Sequence, residues 1–230
     1  MVDRYYLTFV RHGESTGNAQ RRYQGQGEYP LTELGREQAR LLAERFLAEG
    51  SHFDRIFTSP LGRARETAEI IAAALGAPVE LDPIWMERHL GELSGLTPEV
   101  ASQSFPHPAY VQPFHPVGET GESEWELYQR AGRAVQGLLR LPSGSYLVVT
   151  HGGLLNMVLY VCLGIASQVG TTGPRFILGN TAVSSLMFDP NRSRWYIEAI
   201  NDGSHCSGLQ ASVQRQPRMD GRRSKEDHAE

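Results

Sequence analysis

Leu7-Thr8-Phe9-Val10-Arg11-His12-Gly13-Glu14 decides how the rest of the chain is read. Tyr5 to Val10 is apolar almost throughout, as a short strand covered on both faces would be. It delivers an arginine and a histidine, side by side, into a glycine turn. An imidazole next to a guanidinium suits attack on a phosphoryl group whose oxygens the cation holds. Arg-His-Gly alone occurs by chance in many proteins. Two later stretches strengthen it: Ser59-Pro60-Leu61-Gly62-Arg63-Ala64-Arg65-Glu66-Thr67-Ala68 and Val148-Val149-Thr150-His151-Gly152-Gly153.

Working outward, strand and helix patterns alternate. Arg11 to Tyr29 reads as a polar, glycine-rich loop, longer than a strand-to-helix connector needs, and long loops are more often functional. Thr32 reads as the N-cap of a helix closed by Gly50, with Ala39, Leu42, Ala43, Phe46 and Leu47 on one face. Phe53 to Thr58 is a second strand. Ser59 as N-cap and Pro60 at the first helical position start a helix that runs to Leu75, and Val79 to Leu81 is a third strand. Residues 95 to 118 hold five prolines and read as irregular, with one short helix. Glu122 to Leu141 reads as a helix, Tyr146 to Thr150 as a buried strand and Gly153 to Leu163 as another helix. Ala182 to Phe188 and Trp195 to Ile200 are two closing strands around a turn at Asp189-Pro190-Asn191.

Such alternation predicts an α/β three-layer sandwich, an open, mostly parallel sheet with helices on both faces. Ligands then bind beyond the carboxyl ends of the strands, where Arg11, His12 and His151 fall. Residues 1 to 208 read as a single catalytic domain, with 95 to 121 as a capping insertion and 209 to 230 as a disordered tail.

Composition narrows the partners. Of the 230 residues 40% are hydrophobic and 21% charged, ordinary for a globular protein with a real core. A formal net charge of -4 supplies no global field toward nucleic acid or an anionic membrane, so neither is an expected partner. Any anion site must be a local arginine cluster. Cys162 and Cys206 make neither a disulfide framework nor a metal knuckle. No apolar run reaches about 18 residues, and the N-terminal one is too short for a signal segment, so the cytoplasm is the expected compartment.

In these blocks the chain resembles the histidine phosphatase superfamily, the phosphoglycerate-mutase-like enzymes, over roughly residues 5 to 206. The resemblance makes His12 the nucleophile that is transiently phosphorylated, and His151 the second histidine, donating to the phosphoryl oxygens. Arg11 and Arg63 become the phosphate clamps. Surface ion pairing is the usual fate of arginine, but Arg63 would sit in a helix's first turn, where the dipole already favours an anion. Two guanidiniums about 5 Å apart repel by roughly 3 kcal/mol at an effective dielectric near 20, a cost that a doubly charged ligand offsets. Arg65 faces elsewhere, toward solvent or Glu69.

Glu87, in Glu87-Arg88-His89-Leu90-Gly91-Glu92-Leu93-Ser94-Gly95, matches the family's Glu-x-x-x-Gly-x-x-x-Gly block, which implies a general acid and base. Glu14 then supports the nucleophile. Asn18, Gln24, Gly25 and Gly152 are carried over as substrate or phosphate contacts, with Ser15 beside them. Ile200 to His205 resembles the closing segment and reads as structural. A metal site drawn from His12, His89, His107, His115, His151 and His205 lacks any paired-ligand spacing, and the arginines beside His12 would repel a cation.

Two activities fit the family. Glu87-Arg88-His89-Leu90-Gly91 resembles the mutase version of its block, and a mutase would need 2,3-bisphosphoglycerate. Residues 96 to 118, however, contain no arginine or lysine to hold a second acidic group. Phe105, Tyr110 and Phe114 in that stretch favour an apolar or mixed organic substituent, and Gly121-Glu122-Ser123 matches a block common among the phosphatases. The expectation is a cofactor-free, metal-independent phosphatase acting on a small phosphomonoester. A non-catalytic phosphate- or partner-binding domain of the same fold is the further alternative. Oligomeric state stays open, a homodimer included.

Overall fold

The computed structural model describes residues 3–105, 112–167 and 173–209. Six strands form one sheet: β1 (Tyr5–Arg11), β2 (Arg55–Thr58), β3 (Val79–Leu81), β4 (Gly144–Thr150), β5 (Val183–Asp189) and β6 (Arg194–Asp202), in the order β3-β2-β4-β1-β5-β6. The first four in that order are parallel, and β5 and β6 add an antiparallel edge. Helices are α1 (Thr16–Ala19), α2 (Glu33–Ala48), α3 (Gly62–Leu75), α4 (Pro98–Ser104), α5 (Glu124–Leu139) and α6 (Gly152–Leu163).

Side-chain alternation sorts the core into two layers. On one face Leu7, Phe9, Phe57, Tyr146 and Val148 pack against α5 and α6 through Leu127, Ala131, Leu138, Leu154 and Leu159. On the other, Val10, Ile56, Leu147 and Val149 pack against α2 and α3 through Leu42, Phe46, Ala68 and Ile71. Leu147 and Leu159 are fully buried; truncating such a side chain to alanine costs about 2–5 kcal/mol. Cys162 lies in this core, and burial pushes its thiol up to about 12. No helix among the described residues is long and apolar enough to cross a membrane.

Parallel pairing of β1 with β4 puts Arg11 opposite Thr150, and β2 sets Thr58 opposite Val149. All three strands therefore end at one level, with His12 and His151 as adjacent next residues. The His12 N–H continues the ladder to the Thr150 carbonyl at 2.9 Å.

Several boundaries differ from those read in the sequence. The loop from Arg11 to Tyr29 contains α1, because Ser15 caps it reciprocally with Asn18. α3 begins at Gly62 rather than Pro60, and its N-cap is Leu61, which has no capping side chain. Ser59 instead accepts from the Leu61 N–H, closing a turn, and Glu28 from the long loop accepts the Gly62 N–H at 3.1 Å. α5 starts at Glu124, since Ser123 and Glu126 form its capping box. α6 starts one residue earlier than read, at Gly152, β5 is shifted one residue later, and β6 runs longer than read at both ends. The short helix expected within 95 to 118 is α4. The expected tail beyond Leu209, and residues 106–111 of the expected cap, lie outside the described residues.

Candidate active site

Arg11, His12, Arg63 and His151 are all buried at the carboxyl end of the sheet. The two imidazole centroids stand 5.2 Å apart. Gly13 follows His12 with no room for a side chain, since a Cβ there would lie 2.4 Å from the Gly35 carbonyl oxygen. His12 Nδ1 is 2.6 Å from the Gly13 carbonyl oxygen. A carbonyl only accepts, so Nδ1 carries the proton and the lone pair sits on Nε2. Burial first, then the charges of Arg63 and Arg11, hold this imidazole well below the usual histidine value. It is neutral and nucleophilic at pH 7.

Neither ring nitrogen of His151 has a hydrogen-bond partner among the described residues, and both are buried. Burial, then Arg63, His12, Arg11 and Arg130, keep it neutral as well. Arg11 Nη1 donates to the Leu178 carbonyl at 2.6 Å, and Arg63 donates to the Gly27 and Gly25 carbonyls at 2.8 Å each. Backbone carbonyls thus hold both guanidiniums, and the Nε of each is buried without a partner. Both are pushed down to about 10, chiefly by burial, with Glu87 acting in the opposite direction. Unpartnered buried donors are rare in folded proteins. Gathered around one histidine, they make a cradle for an oxyanion.

Glu87 reaches this cluster from a loop. Its Oε2 accepts the Gly153 N–H at 3.0 Å, and its Oε1 accepts those of Leu154 at 3.0 Å and Arg88 at 2.8 Å. The carboxylate caps α6 through the Gly153 and Leu154 N–H groups. Gly152 opens the helix and its carbonyl accepts from Asn156 Nδ2, while Gly153 has no room for a Cβ, which would come 2.5 Å from Glu87 Oε1. The two glycines after Glu87 in the block, Gly91 (φ 54°) and Gly95 (φ 86°), sit in the left-handed region, which explains their spacing.

The remaining carried-over residues lie along the rim. Asn18 Oδ1 accepts the Ser15 N–H and Asn180 Nδ2, and Asn180 also donates to the His12 carbonyl. Gln24 Oε1 accepts the Ser15 hydroxyl at 2.7 Å. Gly25 serves Arg63 through its carbonyl. Glu14 accepts from Thr32 at 2.8 Å, behind the nucleophile. Arg65 pairs with Glu69 on the outer face of α3. His205 bonds Thr181.

Phe105 packs with Leu90, Leu93 and Ala101 in a small satellite core, and Phe114 meets Trp125 edge-on at 5.9 Å on the surface. Tyr110 lies outside the described residues. Among the described residues, no group of three or more His, Cys, Asp or Glu side chains is gathered as a metal site would require.

Arg130, Asn156 and Asn180 escaped the sequence reading, and Glu122 entered it only within its Gly-Glu-Ser block. Arg130 left a signal: it falls on the α5 stripe Leu127, Ala131, Ala134, Leu138 that faces the core.

Residues 7–203 match the family model described as histidine phosphatase superfamily (branch 1). The chain is 37% identical over 203 residues to a "Probable phosphoglycerate mutase GpmB" of Photorhabdus laumondii, covering 85% of this chain and 92% of that one. Among solved structures, Bacillus stearothermophilus YhfR superposes with a TM-score of 0.74 at 31% identity, covering 87% of this chain and 98% of that one. A mycobacterial glucosyl-3-phosphoglycerate phosphatase, in a structure complexed with VO3, gives 0.72 at 26% identity, with 86% and 99% covered.

Proposed function

The chain belongs to the histidine phosphatase superfamily, and on that premise we propose that it hydrolyses small phosphomonoesters through a phosphohistidine on His12. The observation that carries this reading is the buried His12, its Nδ1 on the Gly13 carbonyl and its ring 5.2 Å from that of His151, with Arg11 and Arg63 buried beside them and nitrogens of all three neighbours unpartnered among the described residues. Nε2 attacks phosphorus and the bond to the leaving oxygen breaks. The arginines and His151 take the charge that accumulates on the other phosphoryl oxygens. Glu87 supplies the proton that the leaving oxygen needs. Oε1 already accepts two N–H groups and Oε2 only one, so Oε2 is the oxygen with room for that proton. Water then attacks the phosphohistidine, Glu87 accepts its proton, and the N–P bond breaks to release phosphate and free His12.

Hydrolysis is favoured over mutation by residues 96 to 118, which hold no cation for a second acidic group. We read residues 95 to 121 as the cap that faces the organic part of the substrate. The mutase reading rests on relatives named probable phosphoglycerate mutases and on the Glu87–Gly91 block.

A panel containing 3-phosphoglycerate, phosphoserine, a sugar phosphate and 4-nitrophenyl phosphate separates the two. Each is assayed with and without 2,3-bisphosphoglycerate and with EDTA. The proposal expects phosphate release indifferent to both additions and blocked by vanadate. Isomerisation of 3-phosphoglycerate that depends on the bisphosphate would replace it.

A further inference from the structure

Glu87 stands on a stretch of backbone that belongs to no sheet ladder. After the 3-10 turn Pro83–Trp85 the chain runs irregularly to Leu90. The His89 carbonyl accepts the Glu122 backbone N–H at 2.7 Å, but the carbonyls of residues 84–87 are satisfied by side chains from elsewhere. Thr150 Oγ1 donates to the Trp85 carbonyl at 2.7 Å, and Gln26 Nε2 to that of Glu87 at 3.0 Å. Those of Ile84 and Met86 fall to Arg130, a side chain from the second turn of α5.

Arg130 Nη1 donates to the Ile84 carbonyl at 2.9 Å and the Met86 carbonyl at 2.6 Å, and Nη2 to the Glu87 carbonyl at 3.3 Å. Nε and Nη2 donate to the two Glu122 carboxylate oxygens at 2.8 and 2.7 Å. A guanidinium has five N–H groups in a fixed fork, and here each has an acceptor. Glu122 neutralises the charge and sets the plane of the fork. Arg88 closes the seam from the other side, donating to the Glu122 carbonyl and pairing with Glu124 at 2.8 Å.

We propose that Arg130, oriented by Glu122, is the positioning residue for Glu87. It fixes the backbone of residues 84–87 so that the carboxylate stays on the first turn of α6, beside the histidine pair. The inference rests on Glu87 being the proton donor. Lysine cannot replace Arg130, because three donors on a flexible stem cannot serve three carbonyls and a carboxylate together. A carboxylate displaced by about 1 Å can lose about 10²-fold in rate.

The test compares Arg130→Lys and Arg130→Met with Glu87→Gln and with the Glu87→Gln/Arg130→Met double variant. Each is assayed on an alkyl phosphate and on 4-nitrophenyl phosphate, with folding checked by circular dichroism. The lysine variant keeps a charge opposite Glu122 should the methionine variant fail to fold. The expected result is a fall in kcat/KM, which reports only the steps through leaving-group departure, of about 10- to 100-fold on the alkyl ester. The fall on the nitrophenyl ester should be under about 3-fold, lysine should give no rescue, and the double variant should lose no more than Glu87→Gln alone. Equal losses on both esters, or additive losses in the double variant, would overturn the proposal while Glu87 keeps its role. Glu87→Gln that itself fails to distinguish the esters would overturn both.

Discussion

At the end of the sheet His12 and His151 are neighbours because β1 and β4 pair with Arg11 opposite Thr150, whereas Glu87 reaches the same cluster on a segment with no ladder behind it. The first placement is a property of backbone register, and a one-residue slip would turn every core side chain to the wrong face. The second depends on a few side chains, chiefly Arg130, Gln26 and Thr150. On the proposed reading, capture of the phosphoryl group should therefore be robust to single substitutions outside the cradle. Proton delivery should not be, and variation in leaving-group preference should concentrate around residues 84–90 and 121–130.

Replacing Glu87 by glutamine probes the fragile half. The amide keeps the shape but carries no transferable proton. The kcat/KM for an alkyl phosphate, which reports only the steps through leaving-group departure, should fall by about 10²- to 10⁴-fold, while that for 4-nitrophenyl phosphate, whose leaving group needs no proton, should lose far less. Steady-state kinetics on the pair measure this directly. Equal losses would erase the distinction between the two halves.

A smaller effect tests the robust half through stability. His12 and His151 are both held neutral, so the unfolded chain takes up protons near pH 6.5 that the folded site refuses. Stability is thus complete above about pH 6.5 and falls as the pH drops, by about 1.4 kcal/mol per unit for each histidine, until the folded-state values are reached. His205, also held low by burial, adds in the same direction. Carboxylates such as Asp202, near 2, act only at lower pH. Urea unfolding between pH 7.5 and 5 should show this slope, vanadate should offset it, and His151→Gln should reduce it. A flat profile would mean that the imidazoles are not buried and neutral as drawn.

How much of this was legible in the chain follows the same division. The strand ends, Arg11, His12, Arg63 and His151 could be read because register and helix starts leave periodic, glycine-marked patterns. The sheet with helices on both faces followed from the alternation of elements. What was misread depends on tertiary contacts: α3 starts at Gly62 because Glu28 supplies the cap from a distant loop. Arg130 was missed because a helix arginine ordinarily faces solvent, and nothing nearby in sequence reveals the carbonyls 43 to 46 residues away.

Trapping the intermediate tests the central claim most directly. The enzyme would be quenched in alkali during turnover of a 32P-labelled phosphomonoester, and the labelled peptide mapped. The account predicts an alkali-stable, acid-labile phosphoryl group on His12, absent from His12→Ala. Label on another residue, or turnover by His12→Ala at the wild-type rate, would contradict it.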